Sequence, residues 1–264
     1  MDAHDLYKSG QLDAAIEAMN EEVRSHPADP DRRSFLCDLL CIQGNYERAD
    51  VQLEAIRTQL PGALPAVALI RQLVRSEQWR QQTFVEGRVP EFLETPTENL
   101  QLHLQATISL REGDVQSAIE HLARAEELRV RVGGTWDESI FDDFRDCDDV
   151  TSSFFEVLTS TGKYYWIPME KVETITFHSP DRPRDLLWRR VSMDVRGGPD
   201  GEVFLPTIYA PRREDAKDAE HLGRLTEWSE ELPVRGRGLR TYLVGDEAKT
   251  ILEPGELHLS PVSG

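Results

Sequence analysis

The sequence predicts an α+β protein: an N-terminal, all-α region of tetratricopeptide-like helix pairs, then a small β-rich C-terminal part folded as a curled sheet or partial barrel. Two observations carry this. First, Gly10, Gly44 and Gly113 each stand two places before an apolar residue (Leu12, Tyr46, Val115) and five before an alanine (Ala15, Ala49, Ala118). The glycines are 34 and then 69 positions apart, close to one and two periods of a repeat of about 34 residues. A glycine lets one helix end and the chain turn sharply, and the alanine lets the next helix lie close. Such pairs bury their apolar faces only by stacking on neighbours. Second, beyond Arg131 the helical spacing gives way to short apolar runs divided by turn residues.

Residues 4–26 read as the first pair, with Leu6 and Tyr7 on one helix and Leu12, Ala15, Ile16, Met19 and Val23 along one face of the next. His26-Pro27-Ala28-Asp29-Pro30 ends it, because each proline disfavours helix in the residue before it. The second pair starts near Asp31, carries Phe35, Leu36, Leu39, Leu40 and Ile42, then Tyr46, Ala49, Leu53 and Ile56, and stops at Leu60-Pro61-Gly62. The third is degraded. Val67, Ile70, Leu73 and Val74 predict a helix over 64–79, but Gln78 stands near the place of the elbow glycine, and Phe84, Gly87 and Pro90 fit no second helix. Residues 91–97 read as an irregular connection. The fourth pair returns with Leu100, Leu102, Leu104, Ile108 and Leu110, then Val115, Ala118, Ile119, Leu122 and Leu128.

Val132-Gly133-Gly134-Thr135 reads as a hinge, so the expected division is residues 1–130 and 131–264, with 131–152 as linker and acidic run. Phe155–Leu158 and Tyr164–Ile167 predict a hairpin, 174–177 a further strand, and 186–193 with 203–205 a second hairpin around the glycines at 197–201. Tyr164, Tyr165 and Trp166 read as hairpin core, since a base-stacking platform needs more surrounding cations than Lys163 and Lys171. Residues 212–230, with Arg213, Glu214, Asp215, Lys217, Asp218 and Glu220, read as a solvated helix or loop. Residues 238–244 and 257–259 read as late strands, with Gly236-Arg237-Gly238 as a turn.

A formal charge of −18 disfavours nucleic acid and anionic membrane as partners. No apolar run reaches the roughly 18 residues of a membrane span, and the acidic Met1–Asp5 start lacks a signal segment. The expectation is a soluble, cytoplasmic protein without cofactor or metal. Cys37 and Cys41 share a helix face without further zinc ligands nearby and read as core thiols. The seven histidines are scattered and read as surface or helix residues. No phosphate loop, serine-nucleophile elbow or dinucleotide glycine fingerprint occurs.

The densest charge runs are the candidates for a site. Asp142, Asp143, Asp146, Asp148 and Asp149 crowd around Arg145. A divalent cation would offset their repulsion, which frames one alternative: a metal-dependent hydrolase using the Asp142–Asp149 carboxylates. The calcium-loop pattern fails, because Phe144 occupies a ligand position and the glycine is absent. In the second run, Arg184, Asp185, Trp188 and Arg189 alternate with Leu186 and Leu187. As a strand it would set Leu186 and Trp188 on one face. The complementary signs predict that Arg184 or Arg189 pairs with Asp142, Asp143 or Asp146 and pins the linker to the sheet.

The ordered set Phe141-Asp142-Asp143-Phe144-Arg145-Asp146, Glu156-Val157-Leu158, Gly162-Lys163-Tyr164-Tyr165-Trp166-Ile167-Pro168, Pro183-Arg184-Asp185-Leu186-Leu187-Trp188-Arg189 and Leu205-Pro206-Thr207-Ile208-Tyr209 resembles the ImpE family. Gly223–Trp228 and Arg235–Arg240 fit the same pattern. The family, also called SciE or TagJ, comprises accessory proteins of bacterial type VI secretion. The resemblance implies a non-enzymatic adaptor whose partners are the small sheath subunit (TssB) and the ClpV ATPase that recycles the contracted sheath. The generic alternative is a repeat scaffold with another partner. Stacked helix pairs would offer a concave trough for a partner helix or extended segment, and the acidic body would favour one carrying Lys or Arg.

Overall fold

A computed structural model describes residues 1–212 and 215–262. The first pair is α1 (Ala3–Lys8) and α2 (Leu12–Ser25), the second α3 (Pro30–Gln43) and α4 (Tyr46–Gln59), and the last α6 (Glu98–Glu112) and α7 (Val115–Glu127). The elbow glycines take the expected left-handed conformation, with φ of 85° at Gly10, 89° at Gly44 and 80° at Gly113. Asp2, Asp29, Asn45, Thr97 and Asp114 accept backbone N–H groups at the helix starts, satisfying donors that lack partners within the helix. All five apolar residues read as the α2 face are buried.

The third pair is a single long helix, α5 (Leu64–Val85). It runs past Trp79, the expected end, because the polar residues that break its apolar pattern are themselves buried: Ser76, Glu77, Arg80 and Thr83. Residues 86–97 then cross to α6, and Glu91 bridges to Tyr165 on the way.

The strands are β1 (Val132–Trp136), β2 (Ser139–Phe141), β3 (Phe144–Asp146), β4 (Phe154–Leu158), β5 (Tyr164–Pro168), β6 (Val172–Phe177), β7 (Trp188–Val195), β8 (Asp200–Pro206), β9 (Thr226–Trp228), β10 (Gly236–Gly238), β11 (Thr241–Val244), β12 (Glu247–Thr250) and β13 (Gly255–Pro261). Eight form an open antiparallel sheet in the order β2-β1-β13-β6-β7-β8-β4-β5. A three-stranded sheet, β12-β11-β3, and the β9–β10 pair accompany it. The end strands of the eight-stranded sheet, β2 and β5, do not pair, so it is not closed into a barrel.

Several local expectations change. Residues 132–135 are no hinge; they belong to β1, paired with β13. Gly134 is required there, since a Cβ would meet the His258 carbonyl oxygen at 1.8 Å. Gly236–Gly238 is a strand, not a turn. Residues 183–186 form a 3-10 turn, so the strand alternation proposed for Leu186 and Trp188 does not apply. Within the charged stretch, Arg213 and Glu214 lie outside the described residues. The remainder is only partly solvated: a short α8 (Asp218–His221) and β9 follow, with Glu220 and Leu222 buried.

The two faces of the large sheet have different tasks. Phe154, Leu158, Tyr164, Trp166, Trp188 and Phe204 join the helices in one apolar cluster. Phe155, Val157, Ile167, Val191, Met193 and Leu205 form a second with Trp136, Phe144 and Tyr242. Along β4 the alternation sends every second side chain to the helices. The first helix of each pair touches the C-terminal part. Arg224 reaches the end of α1, the 183–186 turn and α8 pack on α3, β4 and β5 on α5, and the 149–151 turn on α6. Eight consecutive residues of α3, Phe35–Ile42, are buried, so that helix is enclosed on all sides. The face expected to be an open trough is covered by the chain itself.

Candidate functional site

The motif residues meet beneath the helices in one buried junction of charges and aromatic rings. Its centre is Glu156 on β4, a carboxylate inside the otherwise apolar run Phe154–Leu158. Arg80, from α5, donates to both its oxygens, Nε to Oε1 at 2.9 Å and Nη2 to Oε2 at 3.0 Å. The same guanidinium reaches Glu77 Oε1 at 3.1 Å and the Ile208 carbonyl at 2.8 Å. Arg240 comes from the opposite side and bridges Glu156 to Asp146. Tyr164 donates its hydroxyl to Glu156 and accepts from Trp166 Nε1 at 2.6 Å. Trp188 Nε1 closes the ring on Glu77 Oε2 at 3.3 Å. Tyr209 OH lies 2.7 Å from Asp146 Oδ1 and accepts the Thr241 N–H at 3.0 Å.

The electrostatics follow from this packing. Burial pushes the Glu156 carboxyl up, but Arg80 and Arg240 outweigh it and hold it down at about 2. Burial wins at Asp146, pushed up to about 6 despite Arg240. Low-dielectric surroundings make each such pair strong and each lost partner costly.

The candidate residues read from the sequence fall around this junction, with other partners than expected. Arg184 pairs with Asp38 on α3, Nη1 to Oδ1 at 2.6 Å. Burial still pushes the Asp38 carboxyl up to about 6. Arg189 is 1% exposed, with Nε and Nη1 lacking an acceptor, and burial pushes its pKa down. Neither arginine reaches the acidic run. Asp143 is instead gripped by Arg129 at 2.8 and 2.7 Å. Asp146 pairs with Arg240, and Arg145 with Asp149 at 3.0 Å. Asp148 accepts from Arg235 Nε and the Gly236 N–H at 2.9 Å. Asp142 is exposed, 3.6 Å from Arg131. Asp185 caps its own turn, accepting from Asp181 N and Arg182 N at 2.9 and 3.0 Å. The expected pinning pair is therefore corrected: the linker is tied to Arg129, Arg235 and Arg240, and Arg184 ties the 183–186 turn to α3.

His103, read as a surface or helix residue, is a buried helix residue, with Nε2 2.7 Å from Ser153 Oγ. Cys37 and Cys41 are buried thiols. Among the described residues, no group of three or more His, Cys, Asp or Glu is arranged to hold a metal ion. Among the described residues, no helix is long and apolar enough to cross a membrane. Sequence reasoning missed the roles of Arg80, Glu77, Arg235 and Arg240. The available signal was charge where the pattern asks for apolar residues, at Glu77 and Arg80 on α5 and at Glu156 on β4.

The family model described as ImpE protein matches residues 138–258. Along 262 residues, 99% of this chain and 92% of the relative, the sequence is 31% identical to the type VI secretion system accessory component TagJ of Pseudomonas aeruginosa PAO1. The chain belongs to the ImpE family. Among solved structures, the crystal structure of protein VPA1032 from Vibrio parahaemolyticus has a TM-score of 0.90 at 30% identity, covering 97% of both chains. The ImpE motifs quoted above thus converge on the helix–sheet junction: Asp146, Glu156, Tyr164, Trp166, Trp188, Tyr209 and Arg240 all take part in it.

Proposed function

We propose that this ImpE-family chain is a non-enzymatic, cytoplasmic adaptor of a type VI secretion system, built of a repeat unit, residues 1–130, and an ImpE-type unit, residues 131–264. It binds a segment of the small, TssB-like sheath subunit, and the ClpV-type ATPase is a second partner. The observation that carries this is the 31% identity to an accessory component over 99% of the chain. The chemistry of the junction supports it: Asp143, Arg145, Asp146, Asp148, Glu156, Arg184, Arg235 and Arg240 are each engaged in an ion pair within the chain itself. On this reading Asp143, Arg145, Asp146, Arg184, Asp185, Trp188 and Arg189 hold the architecture, while the exposed Asp142 is available to a partner.

The test is a pull-down of the purified sheath subunit and, separately, of the ATPase from the same secretion gene cluster, at low and at physiological salt. Retention that weakens as salt rises is expected of an acidic adaptor. No retention of either at low salt overturns the partner assignment.

A further inference from the structure

Two helix-pair elbows hold a guanidinium on the same pair of carbonyls, the first through two nitrogens and the second through one. At the first, Arg224 Nη1 donates to the Lys8 carbonyl at 2.8 Å and Nη2 to the Tyr7 carbonyl at 2.7 Å. At the second, Arg212 Nη1 donates to the Ile42 carbonyl at 2.6 Å and the Cys41 carbonyl at 3.4 Å. In both, the acceptors stand two and three residues before the elbow glycine. Helix carbonyls at a C-terminus lack intrahelical partners and carry the negative end of the helix dipole. The absent side chain matters as well. A Cβ on Gly10 would meet Arg224 Nη1 at 3.0 Å, and one on Gly44 would meet Arg212 Nη1 at 3.5 Å. A third guanidinium, Arg111, lies over the left-handed Gly87 at the end of α5, where a Cβ would meet it at 2.7 Å.

The elbow between α6 and α7 has the same backbone. The N–H of Gly10, Gly44 and Gly113 bonds the carbonyl three residues back: Tyr7, Cys41 and Leu110. The next N–H bonds the carbonyl four residues before the glycine: Leu6, Leu40 and Ser109. Yet nothing lies within 4 Å of a Cβ built on Gly113, and the flanking Glu112 and Asp114 are exposed. Among the described residues, no side chain donates to the Leu110 or Arg111 carbonyl. We infer that the Gly113 elbow is a docking point for an arginine of a basic segment on a partner polypeptide, held by the Leu110 and Arg111 carbonyls. The occupant's chemistry is argued from the two filled elbows and from charge. At the Gly10 elbow the guanidinium meets two successive carbonyls with two separate, rigidly set donors, an arrangement that a lysine ammonium reproduces less well, and the chain's formal charge of −18 draws basic segments. The inference does not depend on which partner is proposed above.

The test is amide NMR of the full chain titrated with the capped tripeptide acetyl-Gly-Arg-Gly-amide, beside its lysine and citrulline counterparts. Expected are saturable shifts at Gly113 and Asp114 that are several-fold weaker with lysine and citrulline, with Gly10 and Gly44 unmoved. In Arg224→Ala the vacated Gly10 elbow is expected to respond to the same probe, and in Gly113→Ala the response at Asp114 is expected to be lost. A silent Gly113 overturns the inference whatever the Gly10 elbow does, and so does an equal response to citrulline. Shifts at Gly113 that grow with protein concentration alone would identify a second copy of the chain as the occupant and overturn the partner assignment.

Discussion

Arg80 on α5 and Glu156 on β4 meet as two parallel hydrogen bonds, 2.9 and 3.0 Å long, between side chains each 1% exposed. This is the buried ion pair that joins α5 to the sheet. Glu156→Gln leaves the shape and removes the charge that both Arg80 and Arg240 face. Its expected cost is roughly 3–5 kcal/mol in urea unfolding, the range for breaking a buried pair. The exposed pair Arg124–Glu127 is the comparison: Arg124→Ala is expected to cost less than about 1 kcal/mol. Equal costs would show that the junction is not what joins the two parts.

Acid acts on this fold through groups of opposite sign. Burial holds the His103 imidazole down at about 4, against an ordinary 6.5. As pH falls from 6.5 towards 4, the unfolded chain takes up a proton that the native chain refuses, so stability is lost, by about 3 kcal/mol when complete. Asp38 and Asp146, raised to about 6 from an ordinary 3.8, take up protons in the native state first. Their contribution is present below about pH 4 and lost as pH rises through 6. His103→Gln is therefore expected to gain stability relative to the parent as pH falls from 7 to 4, and Asp38→Asn to lose it. Parallel unfolding curves across that range would contradict both assignments.

The arginines at the elbows are expected to act locally. Arg224 is exposed and Arg212 more sheltered, with Nε and Nη2 of Arg212 buried. Arg212→Ala should cost more than Arg224→Ala, each on the order of 1 kcal/mol. Hydrogen exchange should quicken around Leu40–Gly44 in the first variant and Leu6–Gly10 in the second. Uniform quickening across the chain would refute the local role.

The acidic run should ignore divalent cations. Asp143, Asp146, Asp148 and Asp149 already accept from Arg129, Arg240, Arg235 and Arg145. Magnesium or manganese at millimolar concentration is expected to give no binding heat and no change in melting temperature. A saturable heat that disappears in Asp143→Asn would revive the hydrolase alternative.

The helices were readable because their signal is local. Gly10, Gly44 and Gly113 mark elbows by backbone conformation alone, and the α2 face follows from spacing. β1 was hidden because Gly133 and Gly134 carry the signature of a turn, while the need for glycine comes from β13, more than a hundred residues away. α5 was cut short because Gln78 stands near the place where the repeat asks for an elbow, and the burial of Arg80 beyond it makes sense only once Glu156 is placed against it. The charge partners were illegible for the same reason: complementary sign says that Arg184 and the aspartates can pair, and only the fold says that Asp38 is nearer. The ImpE motifs were visible as residues, but their convergence on one junction was not.

The apolar cluster that runs from Ala3 through Trp188 to Leu222 takes no notice of position 130. Truncation is therefore a poor way to map where a partner holds on. A fragment ending there would bare α3 and the flank of α5, and the remaining piece would bare Trp166 and Trp188. Each would be sticky for reasons unrelated to recognition, and a capture assay on either would reward clumping. Single charge swaps on the intact molecule, at Asp142 or beside Gly113, leave that seam shut and report on recognition instead.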